Sequence, residues 1–349
     1  MKTNELLTLV IEKGASDLHI TVGIPPVLRI NGYLTKLNLP PLTPQDTEEI
    51  TKDLLTSKEL EILEAEGDID LSYSVKGLGR FRINAYKQRG TYSLAIRAVA
   101  LRIPSIDELG LPVVAKELAL MTRGLILVTG PTGSGKSTTL ASMVDLINSK
   151  RTCHILTLED PIEYLHKHNK SMVNQREIGH DSISYANALK AALREDPDVI
   201  LVGEMRDLET IQIAITAAET GHLVLSTLHT IGAVKTIDRI IDVFPPYQQQ
   251  QIKVQLSNVL EGIISQQLLP RIDNSGRIVA VEVMIATPAI RNLIREGKTF
   301  QIQSMIQTGN KFGMISMDMS ILQLEKKGLI SMDDAFTYSI DKENFKRMV

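Results

Sequence analysis

Residues 130–137 read Gly130-Pro131-Thr132-Gly133-Ser134-Gly135-Lys136-Ser137, which fits the phosphate-binding pattern G-x-x-x-x-G-K-[ST] with no mismatch, and Thr138 follows directly. Three glycines let the backbone curl until successive amide N–H groups face one anion. Lys136 adds a positive charge, and the Ser137 hydroxyl suits Mg²⁺. At average residue frequencies the pattern arises about once per hundred chains of this length. Its flanks make chance rarer still. The apolar run Leu125-Ile126-Leu127-Val128-Thr129 precedes it as a buried strand, and Leu140, Met143, Val144 and Ile147 recur after it at helical spacing. The chemistry such residues support is the binding of a nucleoside triphosphate.

Phosphoryl transfer to water also needs a carboxylate for the metal, a group that orients the attacking water, and cations around the γ-phosphate. Glu204 ends the run Asp198-Val199-Ile200-Leu201-Val202-Gly203-Glu204; no aspartate stands at that strand end, so Glu204 supplies the carboxylate for Mg²⁺ beside Ser137. In Glu159-Asp160-Pro161-Ile162-Glu163, either Glu159 or Glu163 can orient water, and Glu163 is the preferred general base. His229 closes Ser226-Thr227-Leu228, where an imidazole can contact the γ-phosphate and register its presence. His222 opens that strand after Gly221 and reads equally well as a helix-capping group. Candidate cations are Arg80, Arg82 and Arg97 early in the chain and Arg194, Arg206 and Arg239 later.

The elements that must position these groups fall into two patterns. From residue 113 onward, near-continuous apolar runs at 125–129, 155–158, 199–202 and 223–228 alternate with helices, as in an α/β domain with a mainly parallel sheet covered on both faces. The phosphate loop, the 159–163 acidic stretch, Gly203-Glu204 and His229 each follow one of these strands. Ligands in such sheets bind beyond the strands' carboxyl ends, so one site can collect all four. Residues 1–100 read instead as antiparallel strands with helices. Val27-Leu28-Arg29-Ile30, the turn pair Asn31-Gly32 and Tyr33-Leu34-Thr35 make a hairpin. Thr43 caps a helix with Pro44 at its first position, running to about Gly67. Two further strands follow, one of them residues 80–86, whose alternation sets Phe81, Ile83 and Ala85 on one face and Arg80, Arg82, Asn84 and Tyr86 on the other. Residues 101–112, with Pro104, Gly110 and Pro112, read as the linker to a second domain spanning 113–349.

With 349 residues the chain has length for two domains, and 43% hydrophobic against 23% charged residues is a globular composition. A net charge of −3 gives no overall pull toward nucleic acid. One cysteine, Cys153, excludes an intrachain disulfide and fits a reducing, cytoplasmic compartment. Glu5, Glu12 and Lys13 interrupt the opening residues, so no signal peptide is expected there. No charge-free apolar run approaches the roughly 20 residues that span a bilayer, so membrane association runs through a partner. One further element stands apart. Thr287-Pro288 starts a helix filled by Ala289-Ile290-Arg291-Asn292-Leu293-Ile294-Arg295-Glu296 and ended by Gly297. Ile290, Leu293 and Ile294 should be buried, leaving Arg291 and Arg295 on one exposed face.

Together these residues resemble the secretion ATPase superfamily and, within it, the PilT-type retraction ATPases of type IV pili. The resemblance covers essentially the whole chain. It rests on Gly14-Ala15-Ser16-Asp17-Leu18-His19-Ile20, the phosphate loop, Leu158-Glu159-Asp160-Pro161-Ile162-Glu163-Tyr164, the atypical Gly203-Glu204, and the histidine box from Thr220-Gly221-His222 to Leu228-His229-Thr230. The 289–296 helix is similar to a signature of the retraction branch. The resemblance implies an amino-terminal α+β PAS-like domain, a RecA-like ATPase domain with carboxy-terminal helices, ATP and Mg²⁺ bound between them, and a homohexamer. It also implies that Arg80, Arg82 and Arg97 reach the phosphates. The implied work is disassembly of pilin at the pilus base, against an inner-membrane platform protein. An accessory retraction paralogue and a RecA-like nucleic-acid translocase are the alternatives; the second lacks basic, aromatic-rich stretches.

Overall fold

The apolar runs of the second pattern pair as the parallel strands their composition demands. A computed structural model describes residues 3–30, 32–75, 77–99 and 102–348. Asn31 of the expected hairpin turn and Leu101 at the head of the expected linker lie outside these residues. Among the described residues thirteen strands form two sheets. The first six are β1 (Asp17–Ile20), β2 (Val27–Ile30), β3 (Tyr33–Lys36), β4 (Asp68–Val75), β5 (Gly79–Gln88) and β6 (Thr91–Ala98). The other seven are β7 (Gly124–Thr129), β8 (His154–Glu159), β9 (Met172–Glu177), β10 (Val199–Val202), β11 (Leu223–Leu228), β12 (Leu260–Pro270) and β13 (Arg277–Ile285). By its contacts the chain divides into two units, Met1–Arg102 with Glu163–Leu165, and Ile103–Ile162 with His166–Val349.

In the amino-terminal unit the order is β3-β2-β1-β6-β5-β4, antiparallel throughout. Phe81, Ile83 and Ala85 are fully buried, as the alternation predicts, against Leu6, Leu7 and Leu63 from the helices. Arg82 lies opposite Arg97 on the outer face, and Arg97 lies opposite Asp17. Two expectations are corrected here. Three strands, not two, follow the helices. The single helix expected from Pro44 to about Gly67 is two, Pro44–Leu54 and Ser57–Glu66, because Leu55 is extended and Thr56 starts a new helix with a capping box closed by Glu59.

The carboxy-terminal unit carries the order β13-β12-β7-β11-β10-β8-β9, parallel except for the β12–β13 hairpin. The residues of β7, β10 and β11 are buried without exception, so helices cover both faces. Of the segment read as a linker, Ile106 and Leu111 are buried in this unit's core and the Pro104 carbonyl accepts the Ser142 hydroxyl at 2.6 Å. Those apolar side chains make residues 103–112 part of the second unit. The β12–β13 hairpin has no counterpart in the sequence expectations; it extends the sheet beyond the phosphate-loop strand.

Candidate nucleotide site

The phosphate loop leaves β7 at Thr129 and ends in the helix Lys136–Lys150. Gly130, Gly133 and Gly135 have φ of 140°, 78° and 88°, values open to glycine at little cost. Gly130 is required twice over, since a Cβ there would meet the Gln266 carbonyl oxygen at 2.3 Å and Ser134 Oγ at 2.7 Å. Gly135 caps the helix without a side-chain hydrogen bond, so the first-turn amides have no side-chain acceptor from the cap. Lys136 is buried, with Nζ donating to the carbonyls of Gly130 at 3.0 Å and Pro131 at 3.1 Å. The Ser134 hydroxyl is buried and has no hydrogen-bond partner among the described residues. Uncapped amides, a buried ammonium and an orphaned hydroxyl suit a phosphate group.

At the ends of the neighbouring strands, His229 stands between the loop and Glu204. Its Nδ1 lies 3.5 Å from Thr132 Oγ1 and its Nε2 lies 3.4 Å from Glu204 Oε2. The other Glu204 oxygen lies 2.6 Å from Arg206 Nε in an ion pair, so this carboxylate carries a cation of its own. Glu159, at the end of β8, accepts the Thr157 hydroxyl at 2.6 Å and the Gln175 amide at 3.1 Å. Tyr185, first residue of the helix Tyr185–Ala192, approaches the same strand ends: a Cβ on Gly203 would lie 2.8 Å from its hydroxyl. Burial, then the carboxylates of Glu204, Asp160 and Glu159, push its phenol pKa up, so the group stays a neutral donor.

The structure therefore gathers residues 130–138, Glu204 and His229. It draws Arg206 alone of the later arginines into this cluster; Arg194 and Arg239 are exposed. His222 is a capping group: Nδ1 lies 2.9 Å from the Ala217 carbonyl at the end of the helix Leu208–Glu219. Glu163 is exposed and groups with the amino-terminal unit. Within that unit Arg97 Nε donates to Asp17 Oδ1 at 2.8 Å, whereas exposed Arg82 has no ion pair among the described residues.

Sequence reasoning missed Tyr185 and Gln266. Gln266 is 1% exposed in the middle of β12, where its Nε2 donates to the Ser134 carbonyl at 2.6 Å and its Oε1 accepts the Thr139 hydroxyl at 3.0 Å. The available signal was a pair of glutamines inside the apolar run Ile263-Ile264-Ser265-Gln266-Gln267-Leu268-Leu269.

The 289–296 motif forms the helix Pro288–Glu296, capped by Thr287 and by Gly297 at φ 70°. Ile290 and Ile294 are fully buried, and Leu293 is partly so. Arg291 corrects the expectation of an exposed pair. Its Nε donates to the Ala286 carbonyl at 2.9 Å, Nη1 to the Ser257 and Asn258 carbonyls at 3.0 and 2.9 Å, and Nη2 to Glu261 Oε2 at 2.8 Å. Arg295 remains exposed.

The sequence profile of the type II/IV secretion system protein family matches residues 2–292. A type IV pilus retraction ATPase, PilT of Pseudomonas aeruginosa, is 48% identical over 345 residues, covering 99% of this chain and 100% of the relative. The type IV pilus ATPase PilU of the same organism is 39% identical over 349 residues, covering 100% and 91%. A crystal structure of the pilus retraction motor PilT with bound ADP superimposes with a TM-score of 0.93 at 52% identity, covering 100% of both chains. The carboxy-terminal unit thus has the RecA-like fold of these ATPases, and the amino-terminal unit the PAS-like fold. The chain belongs to the type II/IV secretion system protein family and is an ATPase of the PilT type.

Proposed function

We propose that this chain is the ATP-hydrolysing motor of type IV pilus retraction, acting as a homohexamer that draws pilin subunits out of the fibre base at the inner-membrane platform. Its 48% identity to PilT across the full length of both chains carries the reading. The lower identity to the type IV pilus ATPase PilU, 39%, favours the PilT-type reading. Among the described residues no helix is long and apolar enough to cross a membrane, which suits a cytoplasmic protein that meets the membrane through the pilus machinery.

In this reading the loop amides and Lys136 receive the triphosphate of ATP, with Thr138 in the first helical turn beside them. Ser137 and Glu204 would hold Mg²⁺. When bound there, the ion would offset charge on the phosphate oxygens. Glu163 takes the proton of the attacking water. His229, between Thr132 and Glu204, reads the γ-phosphate and passes its presence to the carboxylate. Arg80, Arg82 and Arg97 supply further cations from the amino-terminal unit. The 289–296 helix, through Arg295, delivers the motion to the platform.

The reading is tested in cells by Glu204→Ala. Pili should persist while twitching motility stops. Normal twitching with the variant as sole copy would remove both the site assignment and the motor reading.

A further inference from the structure

We propose that Gln266 is a positioning residue of the nucleotide site, aiming the phosphate loop by pinning the Ser134 carbonyl. This rests on the loop binding nucleotide, as proposed above. Register explains how a strand residue reaches the loop: Ser265 of β12 pairs with Thr129, the last residue of β7, so Gln266 stands opposite the point where the loop begins. Its main-chain oxygen fills the space a Gly130 side chain would need, and its Nε2 lies 3.2 Å from where a Gly135 Cβ would stand. The carboxamide is 1% exposed and both its atoms are engaged, Nε2 by the Ser134 carbonyl and Oε1 by Thr139 Oγ1.

The consequence follows from peptide geometry. In a planar trans peptide the C=O of one residue and the N–H of the next point opposite ways. Holding the Ser134 carbonyl against β12 turns the Gly135 N–H away from β12. The second contact, from Thr139, fixes the carboxamide's orientation, because only one flip satisfies donor and acceptor together. The loop's three glycines make its backbone mobile, and without this tether the peptide would rotate at little cost.

Gln266→Leu removes both contacts at similar volume. Gln266→Glu keeps an acceptor for Thr139 but loses the donor and sets a negative charge beneath the phosphates. Thr139→Val removes only the orienting contact. Binding of fluorescent ADP, steady-state phosphate release and urea unfolding are measured on the full chain, with Lys136→Ala as the reference for a disabled loop. For Gln266→Leu the expected result is about tenfold weaker ADP binding, as for loss of one buried hydrogen bond. That loss should fall on the KM for ATP rather than on kcat. Gln266→Glu should be weaker again, and Thr139→Val within about threefold of wild type. ADP affinity unchanged in Gln266→Leu overturns the proposal. So does a loss of affinity that follows the urea midpoint across all three variants, or an equal loss in Thr139→Val, since either marks a packing role. A wild-type chain that binds no nucleotide refutes the proposed function instead.

Discussion

The phosphate loop and the helix Pro288–Glu296 are both recognisable as motifs, and each turns a conspicuous cation onto main-chain carbonyls, yet the two cations stand in different surroundings. In the loop, function rests on backbone amides, and the polar side chains are held close: Lys136 bonds loop carbonyls and Gln266 ties the loop down from outside the motif. In the helix, Arg291 is turned inward onto three carbonyls and Glu261, which leaves Arg295 as the outward cation. A cationic residue in a motif is therefore not by itself a contact with a ligand or partner. What stands beside its carbonyl partners, the uncapped amides of the loop for Lys136 and the Glu261 carboxylate for Arg291, decides whether it is a probe or a strut.

The largest effect that can break this comparison belongs to the loop. Lys136→Ala should weaken ATP binding about 100-fold, the scale of a hydrogen bond to a charged group, without lowering the urea midpoint much. A large stability loss with near-normal affinity would make Lys136 the strut instead. Next comes Arg291→Ala, which strips three carbonyls of a donor and leaves Glu261 with an unbalanced, half-buried charge. A loss of about 2–3 kcal/mol in unfolding free energy is expected. Arg291→Lys should recover only part of it, because an ammonium cannot reproduce the guanidinium fork. If Arg291→Ala unfolds like wild type, the arginine belongs to the exposed face after all. The smallest effect sharpens the contrast. Arg295→Ala should change stability by no more than about 0.5 kcal/mol, as exposed substitutions do, while twitching is lost. Intact twitching would separate the helix from output.

How far these roles could be read from sequence depended on how local their causes are. The phosphate loop, the strands around it and the buried face of β5 follow from spacing alone, since glycine geometry and side-chain alternation act over a few residues. The break at Leu55 was legible too, in the Thr56-Ser57-Lys58-Glu59 capping box, but the longer amphipathic run concealed it. Gln266 and Arg291 were not legible. Apart from the nearby Ala286 carbonyl, their partners lie at Ser134 and Thr139, and at Ser257, Asn258 and Glu261, more than a hundred and about thirty residues away. Helical spacing puts Arg291 and Arg295 on one face, yet a long flexible side chain can turn back from that face to a carboxylate beneath it. The placing of Tyr185 over Gly203 likewise required the sheet order, which no local pattern encodes.

ATP binding and phosphate release measured side by side on wild type and Glu204→Gln test the central account most directly. Glu204 is linked to the loop through His229 yet, among the described residues, contributes no loop hydrogen bond of its own. The account predicts ATP affinity within about threefold of wild type and phosphate release slowed by roughly 100-fold or more, the signature of a group acting in turnover rather than in ground-state binding. Hydrolysis at the wild-type rate, or ATP binding lost together with hydrolysis, would contradict it.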